Sequence, residues 1–383
     1  MSAIIDADMH LYEGRTMWLD HTPRAQQDKA LRINDDALGH AWLCLGERRV
    51  HLAEVHHTAD VARMGEYRRR VRDGLPALIG YDDALPREFV DAGARRDQLD
   101  GMGLDSTVVF PNYGLLWERP LSDDLDVTVV NMSAWNRHAV AVAEEGRGRL
   151  HPVGHVTLRD IEWLRAELQQ LVAGGVRLAM VAPALVDGRR LSHPDMDAAW
   201  RAFEELEVTP VFHVAAFPRP FDDAWYENDP DQVTPVLSSS FLSTAPALAI
   251  ADMAVNGCFM RHPELRLGVM ELTARWVPLF LRHLDGAFNF HAAFEGRRLC
   301  ELEDAPSEYV LRHVRVAAFA DEEPARLAAE CGRNIFMFCS DYPHAEGTAD
   351  PLGHYADAGA AVAGDERGRL YGGNAAWLLR SDS

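Results

Sequence analysis

The first strand-like stretch of the chain ends in side chains that can bind a cation. Residues 4–10 read Ile-Ile-Asp-Ala-Asp-Met-His, so apolar residues run directly into an alternating Asp-x-Asp-x-His. Side chains alternate between the two faces of a strand, and we therefore expect Asp6, Asp8 and His10 to share one face. Carboxylate and imidazole groups bind a divalent ion together when other strands complete the coordination. The pattern is short, and the alternative is a buried strand with a polar end.

Ligand-type residues recur where other strand-like segments give way to loops, namely at His155, His213, Glu271 and Asp341. Their recurrence at independent strand ends favours a shared site over coincidence. We predict that Asp8, His10, His213 and Asp341 hold one divalent ion, with zinc expected first and manganese or iron as alternatives. Such an ion makes hydroxide near neutral pH or polarises a substrate oxygen.

Four further residues are candidates for catalysis or substrate binding. Glu271 is the predicted general acid or base, with Asp341 as a second proton carrier, although Glu271 could instead pair with Arg275 one helical turn later. Arg275 is a candidate for holding a substrate carboxylate. His344, in Ser-Asp-Tyr-Pro-His, either contacts substrate or shapes the turn. His155 either contacts substrate or is a core histidine.

The elements that must position these residues alternate between strand and helix. Strand-like runs are predicted at 3–8, 104–110, 150–157, 176–182, 208–214, 265–271, 313–319 and 334–340, almost all followed by helical periodicity. Eight such units predict a (β/α)8 TIM barrel, whose catalytic residues lie at the carboxyl ends of the strands. Residues 14–103 show little regularity and are too many for one loop, so we predict an inserted cap there. The whole chain, 1–383, is then a single domain.

Composition excludes several other classes of protein. The net charge of −21 leaves no basic stripe for nucleic acid or an anionic membrane. No signal peptide precedes the first strand, and the five cysteines contain no C-x-x-C, so we expect a reduced, cytoplasmic protein. Lys29 is the sole lysine, in a polar stretch, which argues against Schiff-base or P-loop chemistry.

Taken together, these motifs resemble the amidohydrolase superfamily, in the branch that contains aminocarboxymuconate-semialdehyde decarboxylase. The matching stretches are IIDADMHLYE, LDSTVVFPNYGLLW, GRGRLHPVGHVTLRD, GGVRLAMVAPALVDGRRLSHPDMDAAWRAFEELEVTPVFHV, HPELRLGVMELTARWVP, NIFMFCSDYPH and GGNAAWLL. The resemblance implies one divalent metal held by Asp8, His10, His213 and Asp341. It also implies a catalytic histidine on the sixth strand, where this chain has Glu271.

The resemblance favours non-oxidative decarboxylation of a small aromatic or unsaturated carboxylic acid, with Glu271 delivering a proton to carbon. The alternative is hydrolysis of an amide, ester, lactone or activated C–C bond by metal-bound hydroxide. A non-catalytic binding protein on the same barrel is a third possibility. Because members of the family commonly form dimers, we also expect a homodimer. The expected small-molecule partner is the substrate, a carboxylic acid.

Overall fold

Eight parallel strands form the centre of the molecule and confirm the predicted (β/α)8 barrel. The computed structural model describes residues 3–221, 225, 234–296, 302–357 and 365–381. The barrel strands follow one another in the order β1, β5, β6, β7, β8, β9, β10 and β11. Their bounds are Ile5–Leu11 (β1), Ser106–Pro111 (β5), Leu150–His155 (β6), Leu178–Met180 (β7), Thr209–His213 (β8), Leu267–Met270 (β9), Val314–Ala318 (β10) and Phe336–Phe338 (β11).

The barrel closes where the last strand meets the first. Met9 and Tyr342 form a parallel bridge. The amide of Asp341 donates to the Asp8 carbonyl (2.9 Å), and the amide of His10 donates to the Tyr342 carbonyl (2.8 Å). Closure therefore places the ligand candidates from the two ends of the chain side by side.

Two hydrophobic layers hold the strands in place. The barrel interior is filled by inward-facing residues such as Ile5, Val153 and Met337, and its lower end is packed by Ala375 and Leu378 of a C-terminal helix. A second and larger cluster lies between the strands and the surrounding helices. Burial of these apolar surfaces is the main force that closes the barrel.

The helices pack outside the barrel. Two of the longer ones, α7 and α8, begin with a side-chain cap, because Asp124 and Asp160 accept from backbone amides at their starts. The helix bounds are Met17–Asp20 (α1), Val61–Arg72 (α2), Tyr81–Ala84 (α3), Arg87–Val90 (α4), Ala92–Met102 (α5), Glu118–Leu121 (α6), Leu125–Gly146 (α7), Ile161–Ala173 (α8), Asp197–Glu205 (α9), Thr234–Ser240 (α10), Thr244–Val255 (α11), Cys258–Arg261 (α12), Val277–Glu295 (α13), Pro306–His313 (α14), Pro324–Cys331 (α15), Pro351–Asp357 (α16), Asp365–Gly368 (α17) and Asn374–Leu378 (α18).

The segment between β1 and β5 has more regular structure than the sequence suggested. It contains an antiparallel sheet of β2 (Leu31–Asp35), β3 (Ala41–Leu45) and β4 (Arg48–Leu52), followed by helices up to α5. These strands are short, and β4 has no fully buried face. A clean alternation of apolar and polar residues is therefore missing from the sequence. That this segment caps the barrel stays a prediction.

Within the described part of the chain, one apolar stretch could cross a membrane by length and composition alone. It spans Val236–Val255, and 22% of the best window is buried. It is divided into two helices, because α10 ends at Ser240 and α11 begins at Thr244. It is therefore a weak indication of membrane insertion, and a cytoplasmic location stays a prediction. The sequence also predicts a long loop rich in proline and aspartate at about 215–235, and of this loop residues 222–224 and 226–233 lie outside the described residues.

Two half-buried histidines on the barrel periphery, His138 and His151, make the folded state sensitive to acid. Burial lowers the pKa of both His138 and His151 to about 4, with a smaller contribution from His21 at His138. Histidine in an unfolded chain titrates near pH ~6.5. Between these values the unfolded chain binds more protons, so the free energy of unfolding falls as the pH falls from ~6.5 towards ~4.

Replacing His138 by phenylalanine should reduce this loss by an amount on the order of 1–3 kcal/mol. Phenylalanine keeps a ring against Trp135, whose centroid lies 5.4 Å from that of His138, but it cannot take up a proton. The measurement is urea unfolding at pH 7 and pH 5, with exposed His193→Asn as the matched control. An unchanged pH dependence in His138→Phe would show that this residue is not responsible.

Candidate metal centre

A bulge in β1 decides which side chains enter the site. Between Asp6 and Met9 the strand advances three residues while its partner advances only from Thr107 to Val109. The extra residue resets the alternation of faces. Ile5 and Ala7 therefore face the barrel interior, and so do Asp8 and His10 beyond the bulge.

The expectation that Asp6 shares the face of Asp8 and His10 is wrong. Asp6 lies between two inward-facing residues and points the other way. One of its carboxylate oxygens accepts from the amides of Asp8 (3.0 Å) and Ser340 (3.1 Å). Burial raises the pKa of Asp6 to about 7. Its place is behind the site, where it ties β1 to the end of β11.

Four strand ends bring ligand atoms together at the mouth of the barrel. Asp8 Oδ1 lies 3.5 Å from His10 Nε2 and 3.3 Å from His213 Nε2. Glu271 Oε2 lies 3.7 Å from His10 Nε2 and 3.4 Å from His213 Nε2. Asp341 Oδ1 is 3.2 Å from His10 Nε2. All five side chains that the sequence analysis placed at a metal or beside it are thus in one cluster.

Backbone carbonyls fix the tautomers of both histidines. Nδ1 of His10 is 2.9 Å from the Pro111 carbonyl, and Nδ1 of His213 is 2.8 Å from the Val214 carbonyl. A carbonyl only accepts, so each Nδ1 carries a hydrogen and donates it. In the neutral ring, Nε2 then carries no hydrogen, and its lone pair points towards the carboxylates. This is the arrangement of metal-bound histidines.

The donor set fits a divalent ion. Ligands held about 2.0–2.2 Å from a tetrahedral ion lie about 3.3–3.6 Å from one another, close to the separations found here. His10 Nε2, Asp8 Oδ2, Glu271 Oε2 and Asp341 Oδ2 are buried without a hydrogen-bond partner among the described residues. Buried acceptors facing one another are costly unless a cation lies between them.

Charge and burial shape the protonation of the cluster. Burial, together with the charge of His344, lowers the pKa of His10 well below its ordinary value and keeps the ring neutral. Burial and the charge of Asp341 raise the pKa of Glu271 to about 8. Burial opposes the charged form of His213, but Asp8 outweighs it and raises the His213 pKa.

Two of the carboxylates sit on strained backbone. Glu271 follows β9 with φ = 51°, and Asp341 follows β11 with φ = 56°. Residues other than glycine seldom adopt this left-handed region, and those that do are concentrated at functional sites. The strain turns both carboxylates towards the cluster where each strand ends.

His344 belongs to the cluster through its contact with Asp341. Its Nδ1 donates to Asp341 Oδ1 (2.9 Å), and its Nε2 is 2.9 Å from Asn112 Oδ1. The ring stacks on His10 with centroids 3.9 Å apart. Burial opposes the charge, but Asp341 outweighs it and raises the pKa of His344 well above its ordinary value.

The structure does not bring Arg275 or His155 into the cluster. The Arg275 guanidinium is 60% exposed and pairs with Asp321 at 3.0 Å. Arg275 therefore does not form the salt bridge with Glu271 that was considered above. Nε2 of buried His155 donates to Glu118 (2.8 Å), and its ring packs against Trp117. His155 therefore has the environment of a core histidine.

Several residues that support the site were missed from the sequence. Asn112, directly after β5, contacts His344, and its position at a strand end could have signalled it. The fully buried Arg95 donates to the His10 carbonyl (2.8 Å) and lies over the Tyr342 ring. The ring of His56 lies 5.2 Å from that of His344. The last two come from the segment between β1 and β5, where no motif marks them.

Comparison with known proteins places the chain in a family. The family model described as amidohydrolase matches residues 119–381, and the chain therefore belongs to the amidohydrolase superfamily and is an enzyme of that class. Its first 118 residues, which contain Asp8 and His10, lie outside the match. A search of the curated proteins found no match.

Solved structures share the fold along the whole chain. An amidohydrolase from Mycobacterium avium subsp. paratuberculosis K-10 is 23% identical, with a TM-score of 0.78 and 99% of each chain covered. The 5-carboxyvanillate decarboxylase from Novosphingobium aromaticivorans, solved with manganese and 4-hydroxy-3-methoxy-5-nitrobenzoic acid, is 16% identical, with a TM-score of 0.65 and coverage of 99% and 96%. The 2,6-dihydroxybenzoate decarboxylase from Rhizobium is 15% identical, with a TM-score of 0.59 and 99% of each chain covered.

Proposed function

We propose that the protein is a metal-dependent decarboxylase of a small aromatic or unsaturated carboxylic acid. The observation that carries the proposal is the convergence of carboxylate and imidazole acceptor atoms at the barrel mouth, at the spacing of a metal site. Asp8, His10, His213 and Asp341 would hold the ion. Zinc suits a donor set of two imidazoles and two carboxylates, and manganese, present in the carboxyvanillate enzyme, is the alternative.

The chemistry divides between the ion and Glu271. When bound, the ion supplies a Lewis acid that orients the substrate carboxylate and an adjacent oxygen. The bond between the carboxylate and the ring or vinyl carbon breaks, and CO₂ leaves. The electron pair of that bond stays on the ring or vinyl carbon. Glu271, held beside both histidines, delivers the proton that this carbon takes up. The Asp341–His344 pair is placed to return a proton to Glu271, since His344 Nδ1 is 3.8 Å from Glu271 Oε1.

Hydrolysis of an amide, ester, lactone or activated C–C bond is the second candidate. The residue that favours it is Glu271, because the related decarboxylases are expected to carry histidine at this position. A glutamate beside the ligands can take a proton from an attacking water and pass it to the leaving group. The similar structure from Mycobacterium avium is called an amidohydrolase, and that name also suits a hydrolase.

Labelled water separates the two reactions. The metal-loaded protein would be incubated in ¹⁸O water with small aromatic acids and, separately, with matched amides and esters. Decarboxylation should release CO₂ and give a product whose organic part contains no ¹⁸O. Incorporation of ¹⁸O without CO₂ would reject the decarboxylase and establish the hydrolase. Asp341→Ala protein serves as the control for background reaction.

A further inference from the structure

A buried carboxylate outside the cluster holds the loop that follows β5. Glu13 lies two residues beyond the end of β1 and is fully buried. Its two oxygens accept from successive backbone amides, Oε2 from Tyr113 (2.9 Å) and Oε1 from Gly114 (2.8 Å). Hydrogen bonds from amides to an ionised carboxylate are stronger than those to a neutral acceptor. Glu13 therefore fixes this loop relative to the end of β1.

The contact between Glu13 and the loop is held from both sides. A Cβ on Gly114 would lie 2.4 Å from the Pro111 Cβ, so a larger residue at this position would push the loop away from β5. On the other side, the Tyr81 hydroxyl donates to the Glu13 carbonyl (2.7 Å). Both partners are therefore fixed before any ion binds.

Asn112 directly precedes the two amides that Glu13 holds, and it carries their position into the cluster. Its Oδ1 lies 2.9 Å from His344 Nε2, and an amide oxygen only accepts, so Nε2 donates to it. The other ring nitrogen of His344 donates to Asp341 Oδ1 (2.9 Å). A displaced Asn112 would therefore release the His344 ring, and with it the carboxylate that we assign to the metal.

We propose that Glu13 is a positioning residue of the metal centre. It holds Asn112 in place, and the contact of Asn112 with His344 then orients Asp341. The inference rests on the proposed function for the assignment of Asp341 as a ligand. Burial raises the pKa of Glu13 to about 7, so the carboxylate is ionised at pH 8, where the variants below are compared.

The test is a double-mutant cycle on metal affinity, which needs no substrate. Binding of Zn²⁺ to protein stripped of metal would be measured by competition with a chelator for the wild type, Glu13→Gln, Asn112→Ala and the double variant. Each single variant should bind roughly 10-fold more weakly, the lower end of the usual effect of outer partners of a metal ligand. Because both changes break the same series of contacts, the double variant should bind no more weakly than Asn112→Ala. The absorption spectrum of Co²⁺-loaded protein should change in the same way in both single variants.

Glu167→Gln is the matched control. Glu167 is a buried carboxylate on α8 that accepts from Ser133 (2.6 Å) and Asn136 (2.9 Å). This variant should bind Zn²⁺ as the wild type does, although it also loses hydrogen bonds inside the protein. Gly114→Ala displaces the loop by a different route, so it replaces Glu13→Gln if that variant does not fold. It should show the same loss of affinity.

Wild-type affinity in Glu13→Gln and Gly114→Ala would overturn the inference, as would losses that multiply in the double variant. A wild type that binds no Zn²⁺ would overturn it together with the proposed function. Otherwise the two fail separately. Coupled losses of affinity in a protein that incorporates ¹⁸O without releasing CO₂ would reject the decarboxylase alone. Release of CO₂ by the wild type, with unchanged metal affinity in Glu13→Gln, would reject the positioning role alone.

Discussion

The Asp341→Ala variant should bind almost no metal and show no measurable turnover. Asp341 contributes two buried oxygens to the cluster, and one of them, Oδ1, lies 3.2 Å from His10 Nε2. Loss of a residue that only supports a ligand typically lowers metal affinity or activity by roughly 10- to 100-fold, and loss of a ligand should cost more. Elemental analysis of purified protein, with about one equivalent of transition metal expected in the wild type, measures the effect.

The matched control is Asp321→Ala, which removes a 70% exposed aspartate whose partner is Arg275. It should keep both metal and activity. Full metal content in Asp341→Ala would contradict our assignment of Asp341 as a ligand. The ion would then be held by Asp8, His10, His213 and Glu271, whose ligand atoms all lie within 4.8 Å of one another, whereas Asp341 belongs to a second such set with His10, Glu271 and His344.

Glu271→Gln should retain its metal and lose roughly 10²- to 10⁴-fold in turnover, the usual contribution of a positioned proton donor. Glutamine keeps the size of the side chain but cannot deliver a proton to carbon. Metal content and turnover measured on the same sample distinguish this role from that of a ligand. Glu205→Gln, an exposed residue on α9 that pairs with Arg165, should behave as the wild type does. Loss of the ion from Glu271→Gln would make Glu271 a ligand and Asp341 the proton carrier.

The barrel was predictable because its strands are short apolar runs that alternate with amphipathic helices. Helix α8 shows why: Asp160 caps it, and Leu164, Leu168 and Leu171 share a buried face, as the spacing indicated. The sheet β2–β4 was missed because partly exposed strands such as Arg48–Leu52 leave no clear alternation in the sequence. The ends of the barrel strands differ from the predicted ends by a few residues. Hydrogen-bonded pairing sets these ends, and pairing depends on the neighbouring strand.

The site was predictable in its residue types and less so in its geometry. Asp8, His10, His213, Glu271 and Asp341 meet because parallel strands present their carboxyl ends on one side of a barrel. The opposite orientation of Asp6 could not be foreseen, because the bulge exists only in the pairing of β1 with β5. The exposed position of Arg275, which pairs with Asp321, could not be foreseen either, because which side chain reaches a site is a property of tertiary structure.

The closure of the barrel also has a consequence for synthesis on the ribosome. Asp8 and Asp341, whose amide donates to the Asp8 carbonyl, are more than 300 residues apart, so most of the barrel is synthesised between them. The helix that packs the barrel floor, Asn374–Leu378, follows later still. Contacts between such distant parts of a chain form slowly, and the unpaired edge of β1 stays open until they form. A nascent chain interrupted before residue 336 would carry most of the barrel strands but would lack Asp341 and His344 of the cluster.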